Sequence, residues 1–247
     1  MGNARNLADN LPVTGATSNR NLIINGSMQV WQRGTGTTTI SNSTYPTVDR
    51  FRCYTGGAQY SSTRSTDVPS GQGFGFSNRF DVVAADNALG AGSFYVFKQR
   101  IEGNNCMRLA YGSSAAKTVT LSFWVKSSVT GTYGLTMYSQ CSQPRALNKT
   151  YTISTANTWE KKTLTVVGDT GEAHADDNAL GYMIVWSLAS GSNYDGVNST
   201  SWANYTTTNL NGGHAQDGVI TTAGASFYLT GVQWELGSVA TPFEHRS

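Results

Sequence analysis

The segment Ala225-Ser226-Phe227-Tyr228-Leu229-Thr230-Gly231-Val232-Gln233-Trp234-Glu235-Leu236 decides the fold class. Strand side chains alternate between faces, so Phe227, Leu229 and Gly231 fall on one side and Tyr228, Thr230, Val232, Trp234 and Leu236 on the other. Bulky residues on both sides predict a strand covered on both faces, central in a sandwich or meeting a neighbouring subunit. Its expected partner is 118–126, where Val119, Leu121, Phe123 and Val125 alternate with Thr118, Thr120, Ser122, Trp124 and Lys126.

Similar alternation recurs along the chain. Residues 48–54 put Phe51 and Cys53 inward and Arg50 and Arg52 outward; 59–63 reads as a weaker edge strand. Residues 74–83, 94–101, 133–137, 151–153, 159–167 and 180–188 carry the same period-two pattern. The run 21–33 reads as an apolar stretch, an Asn25-Gly26 turn and an alternating segment, followed by a Gly/Thr/Ser-rich loop over 34–47. Only 102–111 suits a single helical turn. Regular strands divided by Gly, Asn, Ser and Thr turns predict an all-β, antiparallel, jelly-roll-like β-sandwich. The sandwich is expected over 21–247 as one domain, preceded by a short polar N-terminal arm over 1–20 that anchors the protein to another subunit. The two-sided final strand and this arm together predict a homo-oligomer.

Composition removes several function classes. Lys and Arg number 17 against 15 Asp and Glu, a net charge of +2, too little for the basic field on which nucleic-acid binding relies. No apolar run approaches the roughly 20 residues needed to cross a bilayer, so membrane insertion is not expected. Cys53, Cys106 and Cys141 have no metal-ligand spacing and read as isolated small apolar side chains; with no leader sequence visible, they point to synthesis in a reducing host cytoplasm. His174, His214 and His245 sit in polar turn-like surroundings and read as exposed. The acidic cluster Asp169, Glu172, Asp176 and Asp177 lacks the ordered spacing of a calcium loop and reads as a solvated turn. Neither a nucleophile elbow nor a phosphate-cradling loop is present, so no catalytic residues, metal or cofactor are expected.

Between 189 and 224 the strand pattern stops, and a structureless connection of that length is usually functional or held by a partner. Tyr194, Trp202 and Tyr205 stand there among Ser, Asn, Asp and Gly. A flat ring beside hydrogen-bonding side chains holds a sugar face; the same rings can also close the end of a sandwich or pack against a neighbouring subunit.

The pieces NLIINGSMQVWQRGT at 21–35, VDRF at 48–51, KQRIEG at 98–103, KTVTLSFWVKSS at 117–128, NTWEKKTLTVVGDT at 157–170 and FYLTGVQWELGSVATPFEHRS at 227–247 together carry a resemblance. The chain resembles a family of bacteriophage virion proteins of marine and cyanobacterial phages, the tail-fibre or carbohydrate-binding-module-like β-sandwiches. The resemblance covers about 21–244; GNARNLADNL at 2–11 is similar to the starts of other cyanophage structural proteins. It implies a non-enzymatic structural protein on the virion exterior and brings no catalytic residues. With no repetitive shaft in the chain, the expected role is a capsid decoration or cement protein, a homotrimer contacting the major capsid protein or other virion proteins. The alternative is a tail-fibre or receptor-binding module that recognises host surface polysaccharide.

Overall fold

A computed structural model describes residues 20–40, 45, 47–55, 59–212 and 218–245. The anchoring arm expected over 1–20 lies outside the described residues except for Arg20, and His214 lies outside them as well. Twelve strands among the described residues make two sheets. Sheet A is ordered β1 (Thr38–Ile40), β3 (Gln59–Ser65), β4 (Ser77–Ala84), β12 (Ser226–Leu236), β6 (Val119–Ser127) and β9 (Glu160–Val166). Sheet B is ordered β11 (Ala203–Asn204), β8 (Arg145–Ile153), β7 (Gly131–Ser139), β10 (Leu180–Ser190), β5 (Phe94–Glu102) and β2 (Phe51–Tyr54). All strand pairs are antiparallel, and the sheets pack face to face as a jelly-roll-like sandwich. The expected helical turn is present as Gly103–Cys106 followed by a 3-10 turn at Met107–Leu109.

The final strand is central in sheet A and pairs with β6, as its pattern predicts, but its faces are not those of simple alternation. Thr230 pairs with Trp124 and Gln233 with Ser122, so Gly231 and Val232 together oppose the single residue Phe123. This is a β-bulge, and Gly231 adopts the φ of +61° that such an extra residue demands. The bulge reverses the phase of the strand. Phe227, Leu229, Val232 and Trp234 therefore all enter one core, where Trp234 stacks on Tyr182 of β10 at 4.4 Å. A side chain at Gly231 would meet the Phe74 ring at 2.6 Å.

The outer face of β12 is also covered, but by the chain itself. Gln233 Nε2 donates to Glu235 and to Thr241, the Glu244 N–H donates back to Gln233 Oε1 at 2.7 Å, and Thr230 Oγ1 donates to the Phe76 carbonyl. The two-sided burial that predicted a subunit partner is thus met by the C-terminal tail and the 69–76 segment.

Residues 21–33 differ from the strand-turn-strand expectation: they form no strand and instead plug one end of the sandwich. Ile23, Met28 and Trp31 are buried there. Asn21 ties the plug to sheet A, and Gln99 ties it to sheet B by gripping both the N–H and the carbonyl of Ile24 at 2.9 and 2.8 Å. Gly26 is required at the contact, because a Cβ would stand 2.0 Å from the Val232 carbonyl oxygen.

Two further readings are corrected. His174 is buried rather than exposed: its Nε2 lies 2.9 Å from Ser139 Oγ, its ring stacks on Tyr111, and burial holds its pKa below the ordinary 6.5. Asp169 is no solvated turn residue, since it is 1% exposed and accepts from Arg145 Nε at 2.7 and 2.9 Å. Cys53 and Cys106 are buried free thiols, and desolvation raises the Cys106 pKa to about 12. No helix among the described residues is long and apolar enough to cross a membrane.

Candidate functional site

The outer face of sheet B can be assembled from register alone, because residues directly opposite one another in an antiparallel pair share a face. Arg52 on β2 faces Lys98 on β5, Lys98 faces Val185 on β10, Val185 faces Thr136 on β7, and Thr136 faces Asn148 on β8. One row along, Arg100 faces Met183, and Met183 faces Tyr138. The inner partners of these rows, Phe51, Phe97, Ile184 and Leu135, fill the core.

At the Glu102 end of this face lies a cleft of about 780 Å³, walled by the plug, by Tyr45, Asp49 and Arg50 ahead of β2, by β5, and by residues 178–180. Its geometry begins with the Asn25-Gly26 turn. Asn25 sits at φ +60° and folds its side chain back onto the backbone: Oδ1 accepts the N–H groups of Gln29 and Val30, while Nδ2 donates to the Val30 and Asp49 carbonyls. That clamp fixes Asp49, whose carboxylate accepts the Gln32 N–H and the Arg33 guanidinium, both at 2.6 Å. The next residue, Arg50, takes φ +73° and turns the other way to chelate Glu102 at 2.6 and 2.9 Å. Burial pushes the Glu102 carboxyl up, but Arg50, the residue's own backbone N–H and Asn105 outweigh it, leaving the pKa below its ordinary value. Glu102 is therefore an ionised acceptor and not a proton donor. Tyr45 completes the wall, its ring under the guanidinium groups of Arg33 and Arg52 at 5.7 and 5.8 Å. Ile24 and Val30 add exposed apolar surface to the same cleft.

At the opposite end of the face, Tyr54 stacks on Phe94 at 4.2 Å, and Phe94 meets Tyr194 at 4.5 Å. Nearer the Glu102 end, in the row of Arg100 and Met183, Tyr205 packs edge-on to Tyr138 at 5.0 Å. Burial first, and the Tyr194 phenol second, raise the Tyr205 hydroxyl above its ordinary pKa. Trp202 lies elsewhere. Its ring packs between Tyr111 and Tyr182 at the edge of the core, and its indole N–H donates to the Val167 carbonyl at 2.9 Å.

The connection after β10, expected to be structureless, is ordered over 191–212: a helical turn at Ser192–Asp195, strand β11, and a 3-10 turn at Thr207–Asn209 with a capping box from Thr206. Asn148 pins it to the sheet, accepting the Ser199 N–H and donating to the Asn209 carbonyl and Thr136. The cleft residues were missed as a site by sequence reading. The signal is the pair of cationic segments, Arg50 and Arg52 in VDRFR and Lys98 and Arg100 in KQR; the outward positions of the first two were legible, but the adjacency of the segments was not.

No protein-family model and no curated protein matches the chain. Among solved structures it is similar to the enzymatically active domain of tailspike protein 4 from bacteriophage CBA120, at 17% identity and TM-score 0.45 over 88% of this chain; the chain spans 21% of that structure's length. It is also similar to a family 11 carbohydrate-binding module from Clostridium thermocellum, at 10% identity and TM-score 0.42, covering 84% of this chain and 99% of the module. A CBM22-1 xylan-binding domain from Paenibacillus barcinonensis gives 12% identity and TM-score 0.38, covering 92% and 100%.

Proposed function

We propose that this chain is a non-catalytic carbohydrate-recognition module that reads a saccharide at the Glu102 end of the outer face of sheet B, with its principal subsite in the 780 Å³ cleft. The observation that carries the reading is the pair of fixed ionic groups, Arg33 with Asp49 and Arg50 with Glu102, lining one cleft together with Tyr45. Clefts of roughly 300–1,000 Å³ with a few convergent polar groups suit small ligands. Arginine and carboxylate groups held in place by each other present donors and acceptors to vicinal hydroxyls without further ordering cost. Ile24, Val30 and the Tyr45 ring offer apolar surface to the C–H face of a sugar.

Catalysis does not suit these carboxylates. Glycoside hydrolysis needs one carboxylic acid whose pKa is raised so that it can protonate the leaving oxygen, whereas Glu102 is held ionised and Asp49 is occupied by Arg33 and the Gln32 N–H. From the sequence resemblance comes a place on a phage particle, with the 1–20 arm as anchor, self-association, and host surface polysaccharide as ligand. Of the two roles that resemblance carries, host recognition has the stronger support. The loop expected to bury itself against neighbouring subunits is instead bound to its own sheet by Asn148, and the outer face of β12 is covered by its own tail.

The test is binding of the full chain to a panel of bacterial surface polysaccharides. Wild type is expected to bind a member of the panel, and Tyr45→Ala and Arg50→Ala to lose about tenfold or more in affinity at unchanged fold by circular dichroism. Undiminished binding in both variants would place the ligand elsewhere and sink the cleft reading.

A further inference from the structure

Three cations on the outer face of sheet B have no anionic partner among the described residues. Arg52 and Lys98 are directly opposite on adjacent strands, and Arg100 lies two residues along β5 on the same face. Among the described residues none of the three forms a salt bridge, although six other cationic side chains do. The Arg52 Nε is buried without a hydrogen-bond acceptor. Like charges directly opposite in a sheet are destabilising, and a desolvated charge without a partner costs more still. Burial first, then Arg52 and Arg100, lower the Lys98 pKa to about 8, the mark of an ammonium group short of negative charge.

The fold holds this arrangement beside the cleft, since Arg100 also lines it and Arg52 lies over the Tyr45 ring. The other groups facing Lys98 from β10 and β7 are Val185 and Thr136, which carry no charge. An acceptor with two or three oxygens can satisfy all three cations at once, and guanidinium groups match planar or tetrahedral oxyanions in bidentate fashion.

We propose that Arg52, Lys98 and Arg100 form a subsite for the anionic substituent of an acidic saccharide, a uronate carboxylate or a sulfate or phosphate ester. This deepens the carbohydrate reading and rests on it, and it assigns the ligand a negative charge next to the residue held in the cleft.

The experiment measures binding of the full chain to oligosaccharides of galacturonate, alginate and sulfated galactan, each beside its methyl-esterified or desulfated form. Acidic forms are expected to bind at least about tenfold more tightly than their neutral counterparts. Lys98→Met should abolish that preference while retaining binding of the neutral forms. Lys98→Met should also raise the melting temperature, because it removes a like charge from a buried cluster, a result that a structural role for Lys98 would reverse. Equal affinity for acidic and neutral forms, or a preference that survives Lys98→Met, overturns the inference and leaves the carbohydrate reading standing. If no saccharide of either kind binds, the carbohydrate reading fails. In that case sodium sulfate, followed by amide chemical shifts on β2 and β5, decides the anion site: saturable shifts absent from Lys98→Met support it, and none in wild type overturns it. Sulfate binding as tight as that of the sulfated oligosaccharide would show a free-ion site and overturn the saccharide assignment.

Discussion

Asn21 and Trp234, 213 positions apart, are joined by a hydrogen bond from the Trp234 N–H to Asn21 Oδ1 at 3.0 Å. The same side-chain oxygen accepts the Ile23 N–H, and the amide nitrogen donates to the Val232 carbonyl. One buried amide thus satisfies three backbone groups around the bulge and seats the plug that walls the cleft. Asn21→Ala leaves those groups without partners at 1–3 kcal/mol each when buried, partly relieved by water, so a loss of about 3 kcal/mol is expected. Urea denaturation checks it: the midpoint falls at unchanged slope. A midpoint within error of wild type would mean that Gln99 and the backbone bonds Leu22 to Trp234 and Val232 to Gly26 suffice to hold the plug.

Trp202→Ala removes a ring that packs on Tyr111 and Tyr182 and donates to the Val167 carbonyl. Loss of such a ring at the edge of the core is expected to cost about 3 kcal/mol. Saccharide affinity is expected to be unchanged, because the ring does not reach the outer face of sheet B. A stable variant with weakened binding would contradict this placement.

Asn148→Ala strips the connection 196–211 of its side-chain fastening to β8, leaving the Asn148 N–H to Ser199 carbonyl bond and the β11 pairing. Limited proteolysis is expected to cut within that connection several-fold faster than in wild type, with the sandwich intact. Because Tyr205 lies within that segment and Tyr194 just ahead of it, affinity for longer oligosaccharides should fall while affinity for the shortest ligands, confined to the cleft, stays. Equal cleavage rates would show that this backbone bond and β11 pairing suffice to hold the loop.

His174 gives the protein a pH dependence near neutrality. Its folded pKa is depressed chiefly by burial, with the Asp169 charge and a backbone hydrogen bond opposing, while an unfolded histidine titrates near 6.5. As pH falls below about 6.5 the unfolded chain takes up a proton that the folded chain refuses, so stability declines until the folded pKa is reached. The carboxylates whose folded pKa is depressed, Asp67, Glu102 and Glu160, contribute stability that is lost only below their ordinary values of 3.8 to 4.5, so the two windows are separate. Denaturant midpoints at pH 7.5 and 5.5 should differ in wild type and differ less in His174→Gln. An equal difference in both would assign the effect to another group.

Much of the fold was written in local pattern. The unbroken alternation of Val119, Leu121, Phe123 and Val125 fixes β6 with its inner face, and the same rule finds β5, β7 and β10. β1 and β11 escaped it because three- and two-residue strands hold too few residues to show a period. The plug escaped it because Ile23, Met28 and Trp31 are buried by position at the end of the sandwich and follow no repeat.

By itself the sequence determined the period-two pattern of most regular strands, with Phe51 and Cys53 inward and Arg52 outward in one of them, and that the chain builds an antiparallel sandwich from them. Tertiary structure alone decided which strands are neighbours and in what register. The bulge at Gly231 is a property of the β12–β6 pairing, where two residues oppose one, so no reading of β12 in isolation could place Val232 and Trp234 in the core with Phe227. The meeting of Arg52 with Lys98 is likewise a matter of β2–β5 register. Side-chain period is encoded in the backbone of a single strand; adjacency comes from hydrogen bonds between segments far apart in the chain, and the candidate site is made of adjacency.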